Sequence, residues 1–144
     1  MAPNQKSLAS VSELSITTTD TISGDGQLTV FEFEKNLTYP IKRIFTIYGA
    51  PANQIRGHHA HKACVQGLIC MSGSVKVTCD DGTKKRIFTL NQPNQLLTIP
   101  PGIWASQQYA SASTILTVIC SHIYDSNDYL RDFNDFLRYR KNGG

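Results

Sequence analysis

The spacing of its short apolar runs constrains this chain most. Residues 28–34, 43–48, 67–71, 75–79, 86–90, 96–99 and 114–120 are each rich in Val, Ile, Leu, Phe or Thr and too short for a stable helix. Turn residues separate them: Ser72-Gly73, Asp80-Asp81-Gly82 and Asn91-Gln92-Pro93-Asn94. With no helical pattern between the runs, parallel βαβ units are excluded. The spacing predicts an all-β sandwich or barrel with hairpin connections.

Only the C-terminal end changes period. Tyr129, Leu130, Phe133, Phe136 and Leu137 fall at i, i+1, i+4, i+7 and i+8, one face of a closing amphipathic helix, with residues Asp125 to Asp128 supplying candidate N-caps. That face must be covered by the outside of the barrel or by a second subunit. The 144 residues suit one domain, with residues 1–10 and 141–144 expected to fray. A net charge of +3, with Lys and Arg dispersed, argues against a nucleic-acid surface and leaves room for a small acidic ligand. Cys64, Cys70, Cys79 and Cys120 lie in apolar runs without Cys-x-x-Cys spacing, as buried thiols in a reducing compartment would. Without a signal-like start or a membrane-length apolar run, a cytoplasmic protein is expected.

Chemistry concentrates in Arg56-Gly57-His58-His59-Ala60-His61-Lys62, which holds three of the four histidines. On a strand, His59 and His61 share one face and His58 takes the other. Two converging imidazoles can bind a metal, move protons near neutral pH or pack under a loop. The flanking Arg56 and Lys62 favour an anion nearby. Since Gln66 and Ala105 are not metal ligands, the pair lacks the three or four donors of a transition-metal site, and no metal is expected.

His59-x-His61, Gln66, Gly73 and the Pro-x-Gly of Pro100-Pro101-Gly102 with Trp104 resemble the two signatures of the cupin superfamily. A closer resemblance runs from Arg43-Ile44-Phe45 through the histidine motif, Gln66, Gly73-Ser74 and Asp80-Asp81-Gly82 to Tyr124-Asp125-x-x-Asp128-Tyr129-Leu130-Arg131-Asp132-Phe133. These motifs resemble the dTDP-sugar 3,4-ketoisomerases and span about residues 28–137. The resemblance implies a cupin-type jelly-roll barrel with a short C-terminal helix. It also implies conversion of dTDP-4-keto-6-deoxyglucose to a dTDP-3-keto-6-deoxyhexose, for the 3-amino sugars of bacterial surface polysaccharides.

No cofactor is implied, because the C4 carbonyl itself acidifies the hydrogen on C3. His59, matching the first histidine of the family's His-Ala-His, is the implied base. His61, Gln66 and Tyr48 are candidate donors to the enediolate. Arg56, Arg43 and Lys62 are candidates for the diphosphate, and Trp104 for an apolar wall against sugar or thymine. His58 and His122 read as structural, and Tyr124 and Asp125 as parts of the helix start. A homodimer is expected, paired through residues 28–34 and the helix face. The chain departs from the family at Ala105 and Asp25, two positions expected to face the sugar, which leaves the C4 stereochemistry open. Two further readings fit the same motifs: a cupin that binds a nucleotide sugar without turnover, and a dTDP-sugar 3,5-epimerase.

Overall fold

The computed structural model of the protein describes residues 7–144. It contains twelve strands: β1 Ile16–Thr18, β2 Thr21–Ser23, β3 Gln27–Thr29, β4 Arg43–Ile47, β5 Ile55–His61, β6 Gln66–Ser72, β7 Val75–Asp80, β8 Lys85–Leu90, β9 Gln95–Ile99, β10 Trp104–Tyr109, β11 Ile115–Cys120 and β12 Tyr129–Leu130. One helix follows, α1, Phe133–Lys141. Two five-stranded sheets, ordered β1-β9-β6-β11-β4 and β12-β5-β10-β7-β8, form the jelly roll that the motifs imply; β2 and β3 pair only with each other. All of these strand pairs are antiparallel.

Alternation builds the core. In β7, Val75, Val77 and Cys79 are fully buried while Lys76 is exposed. Leu68 and Cys70 of β6 and Leu116, Val118 and Cys120 of β11 join them in the main apolar cluster. Asp80-Asp81-Gly82 makes the expected β7–β8 hairpin. Gly82 takes φ 88° there, its N–H donates to Asp80 Oδ1 at 2.7 Å, and Asp81 Oδ1 accepts from the amides of Thr83 and Lys84. Ser72-Gly73 instead carries the chain from one sheet to the other, since β6 and β7 do not pair. A Cβ on Gly73 would lie 2.6 Å from Thr114 Oγ1.

Three expectations are corrected. Residues 28–34 are not one strand: β3 ends at Thr29 and the chain turns where Glu32 C=O accepts the amides of Lys35, Asn36 and Leu37, with Glu34 at φ 68°. The closing helix starts at Phe133, because Asp132 is its N-cap, accepting from the Asp135 amide at 2.9 Å. Tyr129 and Leu130 are therefore a strand, opposite His61 and Ala60 of β5. Finally, residues 7–10 and 141–144 make specific contacts. Ala9 C=O accepts from Arg140 at 2.8 Å, Ser10 Oγ donates to Asp81, and the amides of Gly143 and Gly144 turn back onto Arg140 and Tyr139. The remainder of the N-terminal expectation, residues 1–6, lies outside the described residues.

The helix covers the outside of the second sheet. Phe136 is fully buried with Ala60 and Leu130, and Trp104, Leu137 and Tyr139 pack around them. Phe136 of its apolar face is thus covered within the chain, while Phe133 stays 39% exposed.

Candidate active site

Gly57 and His58 have positive φ, 97° and 56°, where the β5–β10 register slips: Ala105 faces His59, but Ser106 faces Gly57. His58 is the extra residue of this bulge and turns to the outer face, beside Trp104. Only glycine fits before it, since a Cβ on Gly57 would lie 2.9 Å from the Ala105 carbonyl. Beyond the bulge normal alternation resumes, and His59 and His61 point inward together. Their ring centroids are 5.0 Å apart with the planes at 83°.

His59 faces a cleft of about 460 Å³ inside the roll, lined also by Arg56, Gln66, Gln107, Tyr129 and Arg131. No acidic residue lines this cleft. Tyr129 stacks against both histidines, at 5.0 Å from His59 and 4.3 Å from His61. Arg43 donates to the Tyr129 hydroxyl at 3.2 Å, and the Arg131 guanidinium lies 4.2 Å over the tyrosine ring. Positive charge therefore gathers on one side of a site whose other side is imidazole. Behind the cleft, His61 is buried and bonded through Nδ1 to Asp128 Oδ2 at 2.9 Å. Asp128 also accepts the backbone N–H groups of Ala63 and Cys64. Burial pushes its pKa up, but the bonds from His61 and the two amides outweigh it and leave the carboxyl below its ordinary range.

Burial pushes His59 down to about 4, and the neighbouring His61 adds to the effect. His59 is therefore neutral at cellular pH and holds a lone pair ready. The shift also carries a stability consequence. An unfolded histidine titrates near about 6.5, so below that pH the unfolded chain takes up a proton that folded His59 refuses. Stability present above about pH 6.5 is lost as pH falls through the folded value. His59→Asn is therefore expected to gain thermal stability relative to the parent between pH 8 and pH 5. A melting-temperature difference that stays constant across that range would contradict it.

Of the residues singled out in the sequence, Arg56, His59 and Gln66 line the cleft, His61 stands directly behind His59, and Arg43 reaches the site through Tyr129. Three do not join them. Tyr48 is 76% exposed beyond the end of β4, and Lys62 is exposed beyond the end of β5. Trp104 sits on the outer face, its ring 5.2 Å from Phe133 and 5.5 Å from Phe136, because the alternation of β10 turns Gln107 inward and Trp104 outward. Asp25 is exposed in the β2–β3 turn, while Ala105 is buried opposite His59 in the core cluster. The site residues missed were Gln107, Asp128, Tyr129 and Arg131. The run Asp128-Tyr129-x-Arg131 held the signal, hidden by its fit to a helical period.

Comparison with known proteins gives consistent results. The FdtA family model, described as WxcM-like, C-terminal, matches residues 10–141. A curated relative from Aneurinibacillus thermoaerophilus, TDP-4-oxo-6-deoxy-alpha-D-glucose-3,4-oxoisomerase, is 35% identical over 118 residues, 82% of this chain and 85% of its own. Among solved structures, the sugar 3,4-ketoisomerase QdtA of Thermoanaerobacterium thermosaccharolyticum, in complex with TDP, superposes with a TM-score of 0.86 at 30% identity. The match covers 90% of this chain and 95% of that one. A 3,4-ketoisomerase from Helicobacter canadensis gives 0.85 at 35% identity, covering 90% and 98%.

Proposed function

The chain belongs to the FdtA family, and from that premise we propose that it isomerises dTDP-4-keto-6-deoxyglucose to a dTDP-3-keto-6-deoxyhexose. The observation that carries the reading is His59, a neutral imidazole in an interior cleft whose charged neighbours are guanidinium groups. His59 takes the proton from C3, the electron pair left behind forms the C3–C4 double bond, and negative charge collects on O4. Return of the proton to C4, with the O3 hydroxyl proton passing to O4, leaves the ketone at C3. The reaction is redox-neutral overall and uses no cofactor. The Gln66 amide and the Tyr129 hydroxyl are donors for the enediolate. Arg56 and Arg131 hold the diphosphate, as planar forks that match phosphate oxygens in pairs.

Neither is a metal part of this reading. The one cluster of potential ligands among the described residues, His61, Cys64 and Asp128, is engaged internally, with imidazole and carboxylate bonded to each other. Incubation with dTDP-4-keto-6-deoxyglucose and NMR of the product tests the proposal. A 3-keto sugar is expected; tight binding of dTDP with no turnover would favour the non-catalytic cupin.

A homodimer and a cytoplasmic location complete the reading. Among the described residues the β2–β3 hairpin pairs with no other strand, and Ile22, Leu28 and Phe33 in and beyond it are exposed by 62%, 55% and 49%. A second copy would cover this surface. Light scattering at micromolar concentration should give twice the 16.0 kDa chain mass; the monomer mass would exclude the dimer. The four free, buried thiols agree with a reducing compartment, and fractionation of producing cells checks it. The product, a 3-keto sugar, suits amination at C3 for a surface polysaccharide, which deletion of the gene and sugar analysis of the cell envelope would test.

A further inference from the structure

The bond between His61 and Asp128 points to a role for His61 other than the one its place in the motif suggests. Asp128 accepts two backbone amides as well as bonding His61 Nδ1, so the hydrogen between ring and carboxylate belongs to the ring, and where the ring carries one N–H, this bond commits it. Nε2 is then a lone pair. It is buried and has no hydrogen-bond partner among the described residues. An orphaned acceptor in such a place needs a donor. As an acceptor it would serve a different role from the enediolate donor expected from the sequence.

The neighbouring ring supplies one. To take a proton from C3, His59 must present a lone pair to the cleft, which places its single N–H on the other nitrogen. That hydrogen needs an acceptor: the Gly57 backbone already bonds the His59 ring, and the orphaned His61 Nε2 is the second group that can take it. The His61 ring stands 5.0 Å away, centroid to centroid and nearly perpendicular, so that a ring edge of one meets the other. Bonds of this kind are commonly long in a free enzyme and tighten around the substrate.

We propose that Asp128, through His61, fixes the tautomer of His59, in a chain in which Asp128 accepts from His61 Nδ1 and His61 Nε2 accepts from His59. The inference rests on the isomerase reading and deepens it. Asp128 and His61 are positioning residues: neither takes the carbon-bound proton. They orient His59 with its lone pair toward the sugar. They also stabilise the imidazolium formed when the C3–H bond breaks and the proton binds His59, since its second N–H then points at a lone pair made more basic by a fixed carboxylate. When the proton returns to C4, both rings are neutral again and no charge has left the chain of three. Burial alone would make that imidazolium costly, as the low affinity of His59 for a proton shows. Ala60, between the two histidines, and Leu130, beside Tyr129, are held by Phe136, which keeps β5 and β12 in register behind the site.

The test is Asp128→Asn. The amide oxygen can still accept from the Ala63 amide, so the loop keeps a partner, while the amide NH2 faces His61 Nδ1 and demands the opposite tautomer there. His61 Nε2 then carries the hydrogen, His59 must turn its own lone pair inward, and its N–H faces the sugar. Turnover is expected to fall by about 10²–10⁴-fold with KM within a few-fold, the upper end being the loss seen when the analogous carboxylate of a serine-protease triad becomes an amide. The structural readout is independent of turnover. Nitrogen-15 NMR of the histidine-labelled parent should show His61 protonated at Nδ1 and unprotonated at Nε2, and the variant should show the reverse. A parent protonated at Nε2, or a variant with inverted tautomer and turnover within a few-fold of the parent, would overturn the proposal. If the variant does not fold, the parent spectrum alone decides the tautomer. If the parent turns over no 4-keto sugar, the isomerase reading fails instead, and the nitrogen shifts still report on the Asp128–His61 pair.

Discussion

Replacing His59 with Asn is expected to lower turnover of dTDP-4-keto-6-deoxyglucose by about 10²–10⁴-fold, the usual worth of a positioned general base. Binding of dTDP should change little, because on the proposed reading the diphosphate is held by Arg56 and Arg131, cleft-lining groups other than the base. The loss therefore falls on kcat and on kcat/KM equally. In deuterium oxide a base that exchanges with solvent before returning its proton leaves deuterium at C4 of the product. The variant should lose that incorporation in step with turnover. Activity within a few-fold of the parent would mean that another group moves the proton. Tyr129 would then be the first candidate, since it is the other acid–base side chain on the cleft wall, with its hydroxyl 3.2 Å from Arg43.

The sequence made most of the sheet framework legible because most strands divide their residues between a dry interior and water. β6, β7, β8, β9 and β11 each hold a short run rich in apolar residues, and their expected bounds agree with the structure to within a residue at each end. β10 could not be read that way: Trp-Ala-Ser-Gln-Gln-Tyr turns Gln107 toward the interior, since the interior at that level is a polar cleft. β5 hides its alternation for a second reason, the extra residue at His58. A rule that equates inward with apolar fails where the inside is a binding site. The same fact explains Trp104, whose size suggested a wall of the cleft and whose place in β10 puts it under α1.

The C-terminal segment failed differently. Tyr129 and Leu130 fit the helical period with Phe133, Phe136 and Leu137, yet the capping residue is Asp132 rather than Asp125 or Asp128. Asp125 caps a short turn, Ser126–Asp128, and Asp128 is spent on His61 and two amides. Adjacent residues at i and i+1 share a helical stripe but take opposite faces of a strand, so Tyr129 meets His61 at the site while Leu130 meets Ala60 and Phe136 on the outside.

Phe136→Ala should be the most damaging single truncation in the helix. The side chain is fully buried between Ala60, Leu130 and the Trp104 ring. Emptying such a position costs about 3–5 kcal/mol, and at about 2–4 °C per kcal/mol for a domain somewhat larger than this one, the melting point should drop by roughly 10 °C or more. Phe133→Ala, at a ring 39% exposed, is the control and should cost far less. Activity should fall earlier than the fold does. β12 is joined to β5 by two residue pairs, Tyr129 with His61 and Leu130 with Ala60, and Phe136 touches the apolar member of each strand. Without it, Asp128 and Tyr129 lose the anchor that holds them against the histidines, so turnover should decline at temperatures where circular dichroism still reports a folded sheet. A variant that melts within a degree or two of the parent would show that α1 is not the clamp on this side of the site. One that melts early but keeps parental turnover up to its transition would show that β12 holds its register without the helix.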